Sequence, residues 1–267
     1  MLRRLLDFRR SSEKTHRFRW RGDGVSRIEG LSDAVFGFAI TLVAVSLEVP
    51  RTADALLHNA LGFIPFSVSF LVLFFVWRAQ FEFFRRYGLE DEPTQWLTGM
   101  LLVFVLFLIY PLKFLLSVFS DAILAGDVAK DRLRLVQLPG VLALYAGGFL
   151  GIFLALALLY RHAFSKRHAL ALTELEQFDT SAMHKRWLLA ATSSGGVLAW
   201  SAALMAVPAH MNARDNVFSL MFYGGAVAVF VLALSQRVLR RRLKHERDVL
   251  ITRAGADDAP PPVALLD

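Results

Sequence analysis

The chain has 267 residues, of which 55% are hydrophobic and 20% charged, and its mean hydropathy is +0.47. Soluble globular domains are less apolar, at roughly 45–50%, so the composition argues against a soluble protein. The net charge is nevertheless +7 and the isoelectric point about 10.0. The absence of cysteine excludes disulfide scaffolds, Cys-ligated zinc, iron–sulfur clusters and cysteine nucleophiles.

Six apolar segments follow one another along the chain. The first, Leu31–Val49, is the shortest, and Asp33 and Glu48 lie near its two ends. Each of the next five is a charge-free run of 20 to 26 residues, long enough to cross a hydrocarbon layer of ~30 Å as a helix. These runs are residues 55–77, 93–112, 135–160, 188–211 and 216–236. The pattern predicts an all-α membrane protein with six transmembrane helices over residues 27–240, between a basic tail (1–26) and a partly disordered C-terminal tail (241–267).

The distribution of basic residues predicts the orientation in the membrane. If the spans cross alternately, 24 of the 30 Lys and Arg fall on one side and five on the other, with Lys113 inside the third span. Because basic loops stay in the cytoplasm, we expect a multi-pass protein of the cell membrane with both termini cytoplasmic. A basic tail beside an anionic leaflet explains the excess charge, so no nucleic acid partner is expected. The first apolar run starts near residue 31 without a cleavage pattern, so no cleavable signal peptide is expected either.

Sequence motifs of catalysis are not found. The chain has no G-x-S-x-G elbow, P-loop or dinucleotide fingerprint, and its seven histidines form no i, i+4 pair of the kind that binds zinc. We therefore expect neither an enzyme nor a cofactor or metal site. We expect His162, His168 and His184 to be solvated in a basic loop, and the pair Gly147 and Gly151 to mark a contact between helices.

The first span carries the most informative side chains, since ionisable groups in a membrane are costly and point to function. One helix face, with steps of four and three residues, is formed by Ala34, Phe38, Thr41, Val45 and Glu48. In a purely structural interpretation this face is packed and Thr41 bonds to its own backbone, while Asp33 caps the helix near Arg27. In the functional interpretation the face lines a narrow pore in a symmetric oligomer. Phe38 then constricts the pore, Thr41 contacts the ion, and Glu48 concentrates cations at the mouth.

The start of this span resembles a known family. The pattern Arg27-x-x-x-Leu31-Ser32-Asp33 is similar to the R-x-x-x-F-S-D signature of the endolysosomal potassium channels called transmembrane protein 175 and their prokaryotic homologues. Leu31 replaces the Phe of that signature. Residues 34–42 (AVFGFAITL) also match the usual continuation of the first helix, and the resemblance covers roughly residues 25–240.

The resemblance implies a homotetramer of six-helix subunits whose first helices line one central pore for potassium ions. It implies that Arg27, Ser32 and Asp33 form a buried polar network that holds the pore helix. Phe38 would be the hydrophobic constriction, where a smaller aliphatic residue is common in the family, and Thr41 would be the hydroxyl layer one turn outward. The family often has His after the tryptophan of the second span, whereas Arg78 follows Trp77 here. This difference leaves the partners of Ser32 and Asp33 open.

Two other functions remain open from the sequence. A proton-coupled secondary transporter for a small solute would use Asp33 or Glu48 as its coupling group, although inverted repeats and broken helices are not evident. A non-conducting membrane scaffold would use the same helices only for packing.

Overall fold

The computed structural model describes residues 18–22, 24–45, 52, 63–124, 138–206, 234–239 and 241–252. These residues include five long helices, namely α1 (Arg27–Ala44), α2 (Phe63–Tyr87), α3 (Glu92–Leu124), α4 (Leu138–Ser165) and α5 (Glu174–Met205). A C-terminal helical segment follows at residues 234–239 and 241–252. Four of the helices, α2 to α5, contain stretches long and apolar enough to cross a membrane. The described part is thus the helical fold expected of a multi-pass membrane protein. Glu48 and most of the predicted sixth span lie outside the described residues.

The helices extend beyond the charge-free runs at one end of the bundle. The end of α2 includes Arg78, Arg85 and Arg86, and α5 begins at Glu174, well before its apolar run. The prediction that these basic residues lie in loops was therefore wrong. Lys, Arg and Glu are good helix formers, and a capping box at Thr173 starts α5 in this polar stretch. The ends of apolar runs consequently do not mark the ends of these helices.

The core forms where α1, α2, α3 and α4 meet, while α5 packs along α4. From α1, Phe36, Ala39 and Val43 enter this core and are almost completely buried. Their steps of three and four residues define one face of α1. This face fixes which side of α1 points toward the rest of the chain and which side points away.

Glycines of α4 allow the aromatic side chains of α3 to approach closely. A Cβ atom at Gly148 would lie 3.3 Å from the ring of Phe107, and one at Gly151 would clash with the ring of Phe104. Gly147, by contrast, has no neighbour within 4 Å of its Cβ position. The helix contact expected here is therefore confirmed at Gly151, but its second glycine is Gly148, because residues three apart share a face as well as residues four apart.

One end of the bundle, which we call the basal end, collects the end of α2, the end of α4 and the start of α5. Residues 18–22 lie against it. The backbone N–H groups of Arg21 and Gly22 donate to the carbonyl of Arg85 at 3.1 and 3.2 Å. The Arg21 guanidinium pairs with Glu176 at 2.6 Å, and the same carboxylate accepts the N–H of Arg19 at 2.8 Å. Arg21, which was counted only as an orientation signal, thus has a specific structural partner in Glu176.

Two glycines make room for this segment. A Cβ atom at Gly22 would lie 2.7 Å from the carbonyl oxygen of Phe84. Gly88, just after α2, has a φ of 57°, which is the left-handed conformation that commonly ends a helix. Its Cβ position lies 3.1 Å from the carbonyl oxygen of Arg21. A larger side chain at either glycine would push residues 18–22 away from α2.

Asp91 joins the start of α3 to the end of α4. Its carboxylate accepts from Thr94 Oγ1 at 2.5 Å, pairs with His162 Nε2 at 2.7 Å and lies 3.7 Å from Lys166 Nζ. Partial burial opposes ionisation of Asp91, but the hydrogen bonds from Thr94 and His162 outweigh it and lower the pKa of the carboxyl. The expectation of a solvated His162 was therefore wrong.

The other two histidines of this region differ from each other. His184 Nδ1 lies 2.8 Å from the carbonyl oxygen of Ala157, so its expected solvation was also wrong. His168 is exposed as expected. The two errors share a cause, because both histidines lie on helices rather than in a loop and therefore face neighbouring helices.

We predict that Asp91→Asn destabilises the protein by about 1 kcal/mol at neutral pH, because it weakens the hydrogen bonds to Thr94 and His162. The pKa of Asp91 is lower in the folded state than its ordinary value of 3.8. The stabilisation is therefore fully present above that value and is lost as the pH falls through the lowered pKa. Melting temperatures of both proteins in detergent, measured from neutral to acidic pH, should converge at the acidic end. The exposed neighbour Glu90 supplies the control, since Glu90→Gln removes the same charge and should change the melting temperature little. A difference in melting temperature that stayed the same down to acidic pH would contradict the stabilising role of ionised Asp91.

Candidate functional site

The first turn of α1 is tied both to its own cap and to α2. Ser26 is the N-cap, and its hydroxyl accepts the N–H of Glu29 at 3.1 Å. A Glu at this position usually returns the bond to the cap backbone. Here the Glu29 carboxylate instead pairs with Arg85 Nη2 of α2 at 3.4 Å, and the two side chains are only 7% and 18% exposed. The base of α1 is thus fixed to α2 by a nearly buried ion pair.

One turn farther along, Ser32 connects α1 to α2 through buried neutral groups. Its hydroxyl donates to the carbonyl of Ile28 at 2.8 Å and accepts from Gln80 Nε2 at 2.9 Å. Ser32 and Gln80 are 2% and 1% exposed. Because buried polar groups are costly unless they are hydrogen-bonded, this pair favours one rotation of α1 against α2.

Asp33 makes a third link. Its Oδ1 accepts the indole N–H of Trp77 at 2.7 Å. Together, Glu29 with Arg85, Ser32 with Gln80 and Asp33 with Trp77 form a series of contacts between the two helices, which we call the polar ladder. As the chain number rises along α1 it falls along α2, as expected for antiparallel neighbours. The polar ladder fixes both the height and the rotation of α1.

The described contacts within this chain do not bring Arg27, Ser32 and Asp33 together in one network. Only Ser32 is buried, while Arg27 and Asp33 are exposed. In the part of the chain that the structure describes, Arg27 has neither an ion pair nor a hydrogen-bonding side chain as partner. The sequence interpretation missed Glu29, Gln80 and Arg85. The signal in the sequence was that α2, the helix next to α1, carries an amide at Gln80 and a guanidinium at Arg85.

The predicted stripe on α1 points away from the core that the described helices form. Ala34, Phe38, Thr41 and Val45 are all exposed, and the relative accessibilities of Phe38 and Val45 are 57% and 79%. The opposite face of the same helix is the one that enters the core. A largely apolar stripe left open on a membrane protein must meet lipid, another protein chain or water. Glu48, the fifth member of the stripe, lies outside the described residues.

The proton of the Thr41 hydroxyl is already used in a hydrogen bond within α1. It donates to the carbonyl of Phe38 at 2.8 Å, as the structural interpretation expected. A hydroxyl has one proton to donate and two lone pairs. The lone pairs of this exposed oxygen are therefore available to an electropositive group on the open side of α1.

The comparisons with known proteins bear on the same region. The family model for the endosomal/lysosomal potassium channel TMEM175 matches residues 27–108, which include α1, α2 and the polar ladder. A protein of Marivirga tractuosa named potassium channel is 35% identical over 170 residues, covering 61% of this chain and 69% of the relative. The chain belongs to the TMEM175 family.

A second relative and a solved structure agree with this family. A potassium channel of Chamaesiphon minutus is 26% identical over 169 residues, covering 60% of this chain and 76% of the relative. The crystal structure of a variant of the potassium channel MtTMEM175, in complex with a nanobody–MBP fusion, matches with a TM-score of 0.70 and 28% identity. This match covers 84% of the present chain and 97% of the other. The likeness to a TMEM175 channel is therefore one of fold as well as of motif.

We predict that Arg85→Gln destabilises this TMEM175 family member by about 3 kcal/mol, because Glu29 keeps a nearly buried charge without its partner. Thermal unfolding of the purified protein in detergent measures the loss. Arg78→Gln is the matched control, since Arg78 is exposed on the same helix and should tolerate the change. Adding Glu29→Gln to Arg85→Gln should cost less than the two single changes together. Additive losses would show that the two side chains do not interact.

Proposed function

We propose that this protein is a potassium-permeable channel in which passive conduction follows a central pore lined by α1. The observation that carries the proposal is the division of α1 into two faces. One face is locked to α2 and α3 by the polar ladder and by Phe36, Ala39 and Val43. The other presents the stripe to the outside of the subunit. The potassium channels among its relatives support the choice of ion.

A homotetramer with four copies of α1 around one axis gives the exposed stripe a partner. Four Phe38 rings then form a hydrophobic constriction, and four Thr41 oxygens form a layer of acceptors one turn farther out. Closing by dewetting is a known property of hydrophobic constrictions. The oxygen layer contacts the ion where it has lost part of its water shell. In this arrangement Ala34 and Val45 line the pore below and above these two layers, and Glu48 attracts cations to the mouth.

The motif residues have two roles in this proposal. Ser32 holds the rotation of α1 inside the subunit through Gln80. Arg27 and Asp33, exposed at the base of α1, are placed to meet a neighbouring subunit and complete the network that the family resemblance implies. Lateral contacts of this kind would transmit a movement of one α1 to the next.

The proposed setting is the cell membrane, with six spans per subunit. The described helices enter and leave the basal end alternately, as the charge count requires. The basal end carries Arg85, Arg86 and Arg186, and the positive-inside rule then directs it, together with both termini, to the cytoplasm.

We predict that Phe38→Ala raises potassium flux severalfold, because it widens the constriction and weakens its tendency to exclude water. Purified protein in liposomes with a potassium gradient provides the measurement, after light scattering has established the number of subunits. Phe75→Ala is the matched control, since Phe75 is similarly exposed, at 55%, but lies on α2. It should leave the flux unchanged. Saturable uptake of a solute driven by a proton gradient would instead indicate a transporter, and a correctly assembled protein without any flux would indicate a scaffold.

We predict that Thr41→Val lowers the preference for potassium over sodium severalfold, because it removes the acceptor oxygen while preserving the shape of the side chain. Thr41→Ser keeps the oxygen and should retain most of the preference. Reversal potentials under bi-ionic conditions measure the ratio of permeabilities. Equal permeability ratios in the unmodified protein and both variants would show that the Thr41 hydroxyl does not contribute to selectivity.

A further inference from the structure

The start of α5 holds segments from both ends of the chain. Glu176 receives the guanidinium of Arg21, whose Nη2 and Nη1 lie 2.6 and 3.2 Å from its two carboxylate oxygens. Three residues farther along, Asp179 receives Arg247 of the C-terminal helical segment, with Nε 3.0 Å from Oδ1 and Nη2 3.3 Å from Oδ2. Residues three apart lie on one face of a helix, so one turn of α5 joins the two ends of the chain.

The C-terminal helical segment runs along α5 toward its start. Gln236 Nε2 donates to the carbonyl of Arg186 at 3.4 Å, and the later residue Arg247 reaches an earlier turn of α5. Between these two contacts, Leu243 is only 8% exposed and lines one cleft together with Phe178 of α5. The ion pair of Arg247 therefore lies at the end of an antiparallel contact.

The two ion pairs at the start of α5 differ in exposure. The side chains of Arg21 and Glu176 are 16% and 6% exposed, whereas those of Arg247 and Asp179 are 40% and 19% exposed. Exposed ion pairs contribute less to stability, and salt screens them more than it screens buried ones. The contact of the C-terminal segment is thus the one that opens first.

Arg86 of α2 lies between the two ends of the chain. It pairs with Glu82, and its guanidinium carbon lies 5.0 Å from the centroid of the Phe18 ring, which is a cation–π contact. Arg86 also lines the same cleft as Asp179 and Arg247, and its charge acts on Asp179. If Arg247 leaves, Asp179 becomes a competing partner for Arg86, and a shift of Arg86 toward it weakens the contact with Phe18.

We propose that the ion pair between Arg247 and Asp179, which we call the C-terminal latch, regulates the base of α1. With the latch closed, Arg86 stays against Phe18 and residues 18–22 are firmly held. With the latch open, Arg86 turns to Asp179, and the segment before α1 gains freedom. Salt favours the open latch, because it screens this exposed pair. The regulatory role rests on the proposed channel function, whereas the latch itself is a property of the folded chain.

The first experiment measures the latch without conduction. Because the chain has no cysteine, Leu243→Cys in the full-length protein in detergent gives a single site for a maleimide. Arg247→Gln should accelerate labelling about threefold, as expected for the loss of one partly exposed ion pair. High KCl should accelerate it as well, but not when Arg247→Gln is already present. The control Arg242→Gln removes the same charge from an exposed neighbour and should leave the rate unchanged.

A second reporter guards against a disturbed site. Ala182→Cys replaces a small residue on the α5 wall of the same cleft and should respond in the same way as Leu243→Cys. Equal labelling rates with and without Arg247→Gln at both reporters, or rates that do not change with KCl, would overturn the latch.

The second experiment tests the connection to the segment before α1. In the presence of Arg247→Gln, Phe18→Leu should lower the melting temperature less than it does alone, because Arg86 has already moved away from the ring. Phe81→Leu is the matched control, since Arg85 lies 5.4 Å from the centroid of that ring. Its effect should add to that of Arg247→Gln. Additive effects of Phe18→Leu as well would show that the latch does not reach this segment.

The third experiment measures potassium flux from liposomes. Arg247→Gln should raise the flux about twofold, because a less firmly held α1 more often moves the Phe38 ring away from the pore axis. Arg242→Gln should leave the flux unchanged. An open latch with unchanged or lower flux would overturn the regulatory role. Absence of flux in the unmodified protein would instead contradict the proposed channel function, while the labelling results would still decide the latch.

Discussion

The ion pair between Glu29 and Arg85 is the interaction on which the arrangement of α1 depends. It joins the first turn of α1 to the last turns of α2, and its nearly complete burial makes any displacement costly. Ser32 with Gln80 and Asp33 with Trp77 extend the contact along the helix and so exclude other rotations. The stripe of Phe38 and Thr41 is therefore directed outward by groups that lie on the far side of the same helix.

The basal end supports this contact from below. Arg85 also donates to the carbonyl of Gly22, and the N–H groups of Arg21 and Gly22 return two bonds to the carbonyl of Arg85. The segment that precedes α1 is thus bound to the same residue that pairs with its first turn. Polar contacts at the base of α1 and on one side of it thus add to the packing of Phe36, Ala39 and Val43 in the core.

Apolar length and helical periodicity are local properties, and they predicted the helical membrane fold and placed the stripe residues on one face of α1. The resemblance of the motif at the start of α1 indicated the family. Contacts between helices were harder to predict from the sequence. The charge count treated Arg21, Arg85 and Arg86 only as signals of orientation, whereas each has a specific partner. His162 and His184 were assigned to solvent because α4 was expected to end earlier and α5 to begin later than they do. The motif Ser32 was recognised, but Gln80 was not, since its role depends on the rotation of α2.

The attachment of residues 18–22 has a consequence for the biogenesis of the protein. Arg21 and its partner Glu176 are 155 residues apart, so this bond cannot form until the ribosome has synthesised the start of α5. During insertion of the first helices, the base of α1 has the contacts of α2 but not this final anchor. The attachment of residues 18–22 is therefore completed only by a later part of the nascent chain, and a chain truncated before α5 would lack the ion pair between Arg21 and Glu176.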